Sequence, residues 1–321
     1  MTDKNDPNYG RGEVTVEEND SLSPALRVIR GRIKETVSAQ TFDIPLLPGV
    51  ATQVLQMANN PKAGLDDLEK LVKQDQVIAA KILQVSNSPF YRGISTIVSL
   101  RDAMNRMGLT TMKDIVFSLS VKGKVFQARG FEKELENIWQ HSVACAVISQ
   151  MIAKKVGIDG EYSFLAGLLH DIGKVVLIQI LAQLEEEERQ KKVKEMKTLS
   201  KPFDPKSFKI DQLHDVLAPV VFQEYHAAVG AFVATKWKLP SLISQVIQFH
   251  HEYAKSEDAR SITTVVYLGN ILCHHFGYGH EETPIEYMNE KAFFELSLSV
   301  DQIKKLFDDI PAAVDALQTA L

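Results

Sequence analysis

The stretch FLAGLLHDIGKVVL, residues 164–177, consists of apolar or small residues apart from three in its middle, His170, Asp171 and Lys174. A carboxylate held away from water without a partner costs several kcal/mol, so such a residue is expected to be paired, bound to a metal ion or exposed. A bound cation would supply the positive charge that Asp171 lacks. The motif is therefore a candidate for metal-dependent chemistry.

Further histidines fall on the apolar faces of predicted helices. His141 lies three residues after Ile138 and four before Cys145, a spacing that places all three on one helix face. The same helical spacing from apolar residues predicts that His226 and the adjacent pair His250–His251 also face inward. A single inward histidine is more often a hydrogen-bonded core residue than a metal ligand. Five inward histidines with one inward aspartate favour a divalent transition metal, Fe, Mn, Ni or Zn, because neutral imidazoles and a carboxylate suit such ions.

The remaining histidines serve as controls. His214–Asp215 repeats the His-Asp dipeptide without the Gly-Lys that follows the first one, and it is predicted to lie in a surface turn. His274, His275 and His280 lie near a glycine-rich helix end. We predict that these three are exposed, where the helix dipole favours cations.

The elements that must position these residues have a helical pattern along almost the whole chain. Apolar residues recur at helical spacing, prolines lie between segments, and no sustained alternation predicts a strand. We predict an all-α protein with two lobes. A polar, flexible tail covers residues 1–20, a lobe of short helices covers residues 21–127, and a lobe of longer helices covers residues 128–321.

The composition excludes several classes of partner. The chain has 321 residues, a formal net charge of -5 and no dense run of Lys and Arg, so we expect no nucleic-acid partner. The apolar run VVLIQILAQL is far shorter than the roughly 20 residues that span a bilayer, and we expect no membrane association. Cys145 and Cys273 lie in apolar surroundings, which indicates a reducing compartment. We predict a cytoplasmic protein.

The order of these motifs resembles a known superfamily. His141, followed by His170–Asp171 within LLHDIGK, resembles the HD metal-dependent phosphohydrolases, and His226 followed by HHE at 250–252 is similar to their HD-GYP branch, which hydrolyses cyclic dinucleotides. The stretches IPLLPGVATQVLQMANNP, LVKQDQVIAAKILQVSNSPFYR, SLRDAMNRMGL and HAAVGAFVATKWKLP resemble the HDOD domain, the HD-related output domain of bacterial signalling proteins. The resemblance runs from about Phe42 to His251 and implies an HD-like helical bundle in the C-terminal half.

Two departures from the catalytic pattern qualify what the resemblance implies. A catalytic HD domain ends its ligand set with an aspartate on a late helix, and the equivalent residue here is Asn270, which brings no negative charge. The Gly-Tyr-Pro signature is missing after the His pair. The implied site would hold one or two ions, weakly if at all. Its ligands would be His141, His170, Asp171, His226, His250, His251 and Asn270.

Three hypotheses follow from the residues and the resemblance. The one we favour is a non-catalytic signalling module that acts through protein partners and retains the metal site. Whether it also binds a nucleotide second messenger is left open. The alternative is a metal-dependent phosphohydrolase acting on a nucleotide or cyclic dinucleotide, in which Lys174 neutralises charge on the phosphate; Lys174 could equally be a surface lysine. In the third, the histidines are purely structural, and Asp171 is satisfied by histidine or backbone donors.

Overall fold

A computed structural model of the chain describes residues 24–318 and 321, except 59, 61, 89–90, 92–94, 159, 206–207, 211–212, 214–216 and 280–289. The predicted tail at 1–20, the dipeptide His214–Asp215 and His280 lie outside the described residues. Every regular element within them is a helix, which confirms the all-α prediction.

The N-terminal half contains helices α1 (Pro24–Ser38), α2 (Gly49–Ala58), α3 (Leu65–Val72), α4 (Gln76–Ser86) and α5 (Leu100–Val125). The C-terminal half contains α6 (Glu132–Val156), α7 (Gly160–Leu169), α8 (Ile172–Thr198), α9 (Ala218–Lys236), α10 (Ser241–Phe249), a 3₁₀ turn (Tyr253–Lys255), α11 (Arg260–His275), α12 (Lys291–Glu295) and α13 (Val300–Gln318).

Local sequence sets the helix ends in the N-terminal half. The Asp75 carboxylate accepts hydrogen bonds from the N–H groups of Val77 (3.0 Å) and Ile78 (3.1 Å) and caps α4, and Ser99 caps α5. Helix α5 is interrupted at Gly108, whose φ of 80° and ψ of 165° lie outside the helical region. Two predicted helices therefore join at this glycine.

Glycines allow the helices of the C-terminal half to approach closely. Gly157 ends α6 with a left-handed φ of 72°. A Cβ at Gly167 would lie 2.8 Å from the Cα of Ala146 in α6, and one at Gly173 would overlap the carbonyl oxygen of His226 in α9. Small residues around the His-Asp motif thus admit a neighbouring backbone.

Helix α1 comes first in the chain but contacts helices of the C-terminal half. It packs against α8 and α9. Arg30 pairs with Glu224 of α9 at 2.8 Å, and Arg32 pairs with Glu187 of α8 at 2.5 Å. The N-terminal helix thus contacts the later lobe, and the lobe boundary near residue 128 stays a prediction.

The stretch Tyr162–Thr198, which includes α7 and α8, is long and apolar enough to cross a membrane, but 83% of its apolar window is buried inside the protein. This burial is typical of a core helix, because other helices of the protein cover the apolar faces of the stretch.

Candidate metal centre

Side chains from several helices meet around Asp171. His141 comes from α6, His170 and Asp171 from the turn between α7 and α8, His226 from α9, and His250 from the end of α10. Their exposed fractions are 1%, 0%, 1%, 5% and 0%, respectively. The inward phase predicted for these histidines is confirmed, whereas their role as metal ligands stays a prediction.

One cluster of possible ligands faces the Oδ2 atom of Asp171. The Nε2 atoms of His141 and His170 lie 3.1 Å apart, and they lie 3.6 Å and 3.3 Å from this oxygen. The Nζ atom of Lys174 donates a hydrogen bond to the same oxygen at 2.6 Å. We call His141, His170 and Asp171 the first cluster.

A second cluster faces the other carboxylate oxygen. The Nε2 atom of His226 lies 3.2 Å from that of His250 and 3.0 Å from that of His251. Asp171 Oδ1 lies 3.6 Å from His226 Nε2 and 3.7 Å from His250 Nε2, and it accepts no hydrogen bond among the described residues. We call His226, His250 and His251 the second cluster; Asp171 bridges the two.

The tautomers of these rings are fixed by backbone carbonyl groups. A carbonyl oxygen can only accept a hydrogen bond, so the ring nitrogen bonded to it carries the hydrogen. In a neutral ring the other nitrogen then has a lone pair and acts as an acceptor. Such bonds run from Nδ1 of His170 to Gly167 O (2.7 Å), from Nδ1 of His226 to Phe222 O (2.6 Å) and from Nδ1 of His250 to Ile247 O (2.7 Å).

This arrangement leaves too many acceptors in the second cluster. The Nε2 atoms of His226 and His250 and the Oδ1 atom of Asp171 are all acceptors facing one another. His251 can donate one hydrogen to His226, and Asp171 Oδ1 accepts no hydrogen bond among the described residues. Facing lone pairs in a buried space repel, and a cation removes that repulsion. The donor set therefore fits a first-row divalent ion.

Burial sets the charge states of these groups. It lowers the pKa of His226 to about 3 and lowers the pKa of His250 and of His251 well below the usual value, so these rings are neutral, which is the ligand form. Burial by itself raises the pKa of Asp171, but the positive charges of Lys174 and His170 hold it well below its usual range. The carboxylate is ionised.

His170 differs from the other rings. Burial lowers its pKa, but the neighbouring Cys145 sulfur and the Asp171 carboxylate raise it, to about 10. The resulting proton on Nε2 can be donated to His141 Nε2, which accounts for their short separation of 3.1 Å. An ion in the first cluster would have to displace this proton, because metal ligands must be deprotonated.

Lys174 and Asn270, for which the sequence predicted roles in this site, lie in different surroundings, and the ligand role of Asn270 stays a prediction. Asp171 was expected to lack a charge partner other than a metal ion, yet Lys174 pairs with it, and the Lys174 side chain is 18% exposed. The Lys174 side chain is thus partly buried, and the two roles predicted for it, at a phosphate or at the surface, stay predictions. Asn270, the predicted late ligand, is buried on α11, but its amide makes no hydrogen bond to Asp171 or the histidines in the described part of the chain.

His274 is a neighbour of the site that sequence reasoning missed. It was predicted to be exposed, but it is half-buried because the end of α11 packs on α6, and its ring centroid lies 5.5 Å from that of His141. Burial lowers its pKa to about 4. His274 follows Asn270 by four residues, about one helical turn, and this spacing was the sequence signal that could have predicted its burial. His275 is also half-buried, with its ring 5.0 Å from that of Phe307.

The helical bundle and its buried His-Asp cluster define the class of HD-type helical domains. Residues 44–253 match the family model of the HDOD domain. The chain belongs to the HDOD domain family, as the sequence motifs predicted.

Known proteins agree with this assignment at the level of the fold. An HDOD domain protein of unknown function from Geobacter sulfurreducens is 22% identical with a TM-score of 0.65, over 92% of this chain and 96% of that one. A Shewanella amazonensis protein provisionally named a metal-dependent phosphohydrolase is 18% identical with a TM-score of 0.62, over 95% and 99%.

A curated relative extends the comparison to sequence. An uncharacterized protein of Treponema pallidum is 24% identical over 299 residues, which are 90% of this chain and 53% of that protein. This chain thus spans about half the length of that relative.

Proposed function

We propose that this protein is a regulatory HDOD module that holds divalent metal in an enclosed site and acts through contacts with protein partners in a signalling pathway. The observation that carries the proposal is the burial of the site. His141, His170, Asp171, His226 and His250 are at most 5% exposed, and His251 is partly buried. Hydrolysis of a phosphodiester requires contact between the substrate and the metal, and a nucleotide could reach these atoms only if the surrounding helices moved apart.

The charge of the site supports the same function. Asp171 brings the one carboxylate of the proposed ligand set, and Lys174 already neutralises it at 2.6 Å. Asn270 stands where a catalytic domain would bring a second carboxylate. A set of neutral imidazoles with one compensated carboxylate stabilises two divalent ions poorly, because their mutual repulsion is not offset. We infer that the second cluster holds its ion more tightly than the first, where a lysine and a proton compete.

The residues of this chain would hold and orient the metal in defined ways. The backbone carbonyls that accept from Nδ1 fix the direction in which each Nε2 points, as outer-shell partners do in metal sites. Asp171 Oδ1 and the Nε2 atoms of His226 and His250 provide acceptors, and Asp171 Oδ1 receives no hydrogen bond from the described residues. A bound ion would supply the positive charge that these acceptors require. We propose a cytoplasmic location, to which the free and buried thiols of Cys145 and Cys273 are suited.

The second candidate is the metal-dependent phosphohydrolase acting on a nucleotide or cyclic dinucleotide. The observation that favours it is the bridging position of Asp171 between two groups of three potential ligands. The two clusters would hold the ions, which would supply Lewis-acid activation of water and phosphate when bound, and Lys174 could leave Asp171 to pair with a phosphate.

Elemental analysis of untagged protein, combined with turnover assays, separates these functions. The protein would be loaded with Mn²⁺, Fe²⁺, Ni²⁺ or Zn²⁺, desalted and assayed against cyclic dinucleotides and a chromogenic phosphodiester. We expect retained metal without turnover. His226→Ala should lose the metal, and His275→Ala, which changes a histidine outside the clusters, should retain it.

Two results would contradict the proposal. Turnover that disappears in His170→Ala but persists in His275→Ala would establish the hydrolase. Background metal content under every loading condition would leave the histidines with a structural role alone.

A further inference from the structure

The hydrogen bond that orients the His141 ring differs from those that orient the other histidine rings. His170, His226 and His250 each bond through Nδ1 to a carbonyl three or four residues earlier in the chain. His141 Nδ1 instead bonds to the carbonyl oxygen of Tyr278, 137 residues away, at 3.3 Å. The orientation of this one imidazole therefore depends on the docking of a distant segment.

That segment is the turn that ends α11, residues 276–279, which we call the α11 turn. The Gly277 N–H bonds to His274 O at 3.3 Å and the Tyr278 N–H bonds to Cys273 O at 2.9 Å. This pair of bonds is a Schellman motif, with Gly277 at a left-handed φ of 72°. The backbone of the turn is thus held in one conformation, which directs the Tyr278 carbonyl towards α6.

Gly279 brings the α11 turn into direct contact with α6. A Cβ at this position would overlap the carbonyl oxygen of Asn137 and would lie 2.9 Å from the Cβ and 3.0 Å from the backbone nitrogen of His141. Its φ of 74° is also left-handed. No flexible side chain can give way here, because the atoms in contact belong to the backbone of α6 or to the first side-chain atom of His141. Only glycine lets the turn lie on His141.

We propose that the α11 turn is a positioning element for the first cluster, with Gly279 and the Tyr278 carbonyl as its positioning residues. The inference rests on the proposed metal-binding function. The turn holds the hydrogen of His141 on Nδ1, so that Nε2 presents its lone pair beside His170 and Asp171. His226 and His250 of the second cluster are instead anchored by carbonyl groups of their own helices.

The test compares two glycines of nearly equal backbone conformation. Gly157 has a φ of 72° and no atom within 4 Å of the position that an added methyl group would take, whereas Gly279 has a φ of 74° and the contacts described above. Gly157→Ala and Gly279→Ala therefore introduce similar strain, but only the second displaces the α11 turn. Metal binding to both variants and to wild type would be followed by calorimetry with Mn²⁺ and Zn²⁺.

We expect about a 10–100-fold loss of affinity for the weaker ion in Gly279→Ala, the usual effect of removing an outer-shell partner, and unchanged affinity for the tighter one. Gly157→Ala should bind both ions as wild type does. Equal binding curves for the two variants would overturn the positioning role while leaving the metal site standing. A loss of both ions in Gly279→Ala would also overturn it, since the effect would not be confined to the first cluster.

Two further measurements use wild-type protein. They depend neither on enzymatic activity nor on the folding of a variant. In metal-free protein labelled with ¹⁵N-histidine, long-range spectra should show His141 with its hydrogen on Nδ1; an Nε2–H tautomer would overturn the inference. In wild type, filling the weaker site should slow hydrogen exchange of the Gly277 and Tyr278 amides, because coupling between the turn and the site is reciprocal. Unchanged exchange there would contradict the proposal, even with metal binding intact.

Discussion

Gly173→Ala is the substitution for which the structure predicts an effect opposite to that expected from sequence. Alanine is favoured over glycine in a helix by about 1 kcal/mol, and Gly173 lies in the first turn of α8. However, its Cβ would overlap His226 O and lie 2.7 Å from Gly230 N, both on the backbone of α9. Ordinary contact needs roughly 3.5 Å between such atoms, so the two helices must separate by about 1.5 Å at His226 O.

The magnitude follows from these two opposing effects. Overpacking at a rigid backbone contact destabilises by about 3 kcal/mol, at the upper end of the usual range. After the gain in helix propensity, we expect the free energy of unfolding to fall by about 2 kcal/mol. The same separation would draw Asp171 Oδ1 away from His226 Nε2, now 3.6 Å apart, and weaken metal binding.

Urea denaturation in EDTA, followed by circular dichroism, measures the stability change. The control is Gly31→Ala in the middle of α1, where a Cβ would meet nothing within 4 Å. This variant should gain up to about 1 kcal/mol. A Gly173→Ala protein as stable as Gly31→Ala would refute the inferred contact between α8 and α9.

Other predictions concern charge in the site. In metal-free protein, the pKa of His226 is about 3 when folded against 6.5 as its reference value, so the unfolded state binds more protons between these pH values. Stability should therefore fall as pH drops below 6.5. In urea titrations, His226→Gln should reduce the slope of unfolding free energy against pH by about 1.4 kcal/mol per pH unit. An unchanged slope would contradict the buried neutral ring. Lys174→Met removes the partner of Asp171 Oδ2 and should destabilise metal-free protein by about 3 kcal/mol, with much of the loss recovered on adding Zn²⁺. Thermal melts check this prediction, and a variant that melts like wild type without metal would contradict it.

Several features of the fold and site could be predicted because they are encoded locally. The inward phase of His141 follows from its spacing to Ile138 and Cys145, since a helix repeats every 3.6 residues whatever its neighbours are. The stop at Gly157 follows from the freedom of glycine at positive φ. The HDOD assignment likewise needed only the order of motifs along the chain.

Other features required the packing of segments distant in sequence. The spacing of three residues between Asp171 and Lys174 permits an ion pair, but only the closure of helices around it makes that pair the carboxylate's buried partner. The bond from His141 to Tyr278 joins residues 137 positions apart. The burial of His274 arises because the end of α11 docks on α6 instead of facing water.

The sequence by itself determined that the protein is helical, which faces of its helices are apolar and that His141, His170, His226 and His250 point inward. The tertiary structure alone decided that those imidazoles divide into two groups on either side of one carboxylate, and that a lysine already compensates it. The physical reason is that periodicity is a property of each helix, whereas the distance between two ligand atoms depends on how closely separate helices can pack, which here is set by backbone contacts at glycines.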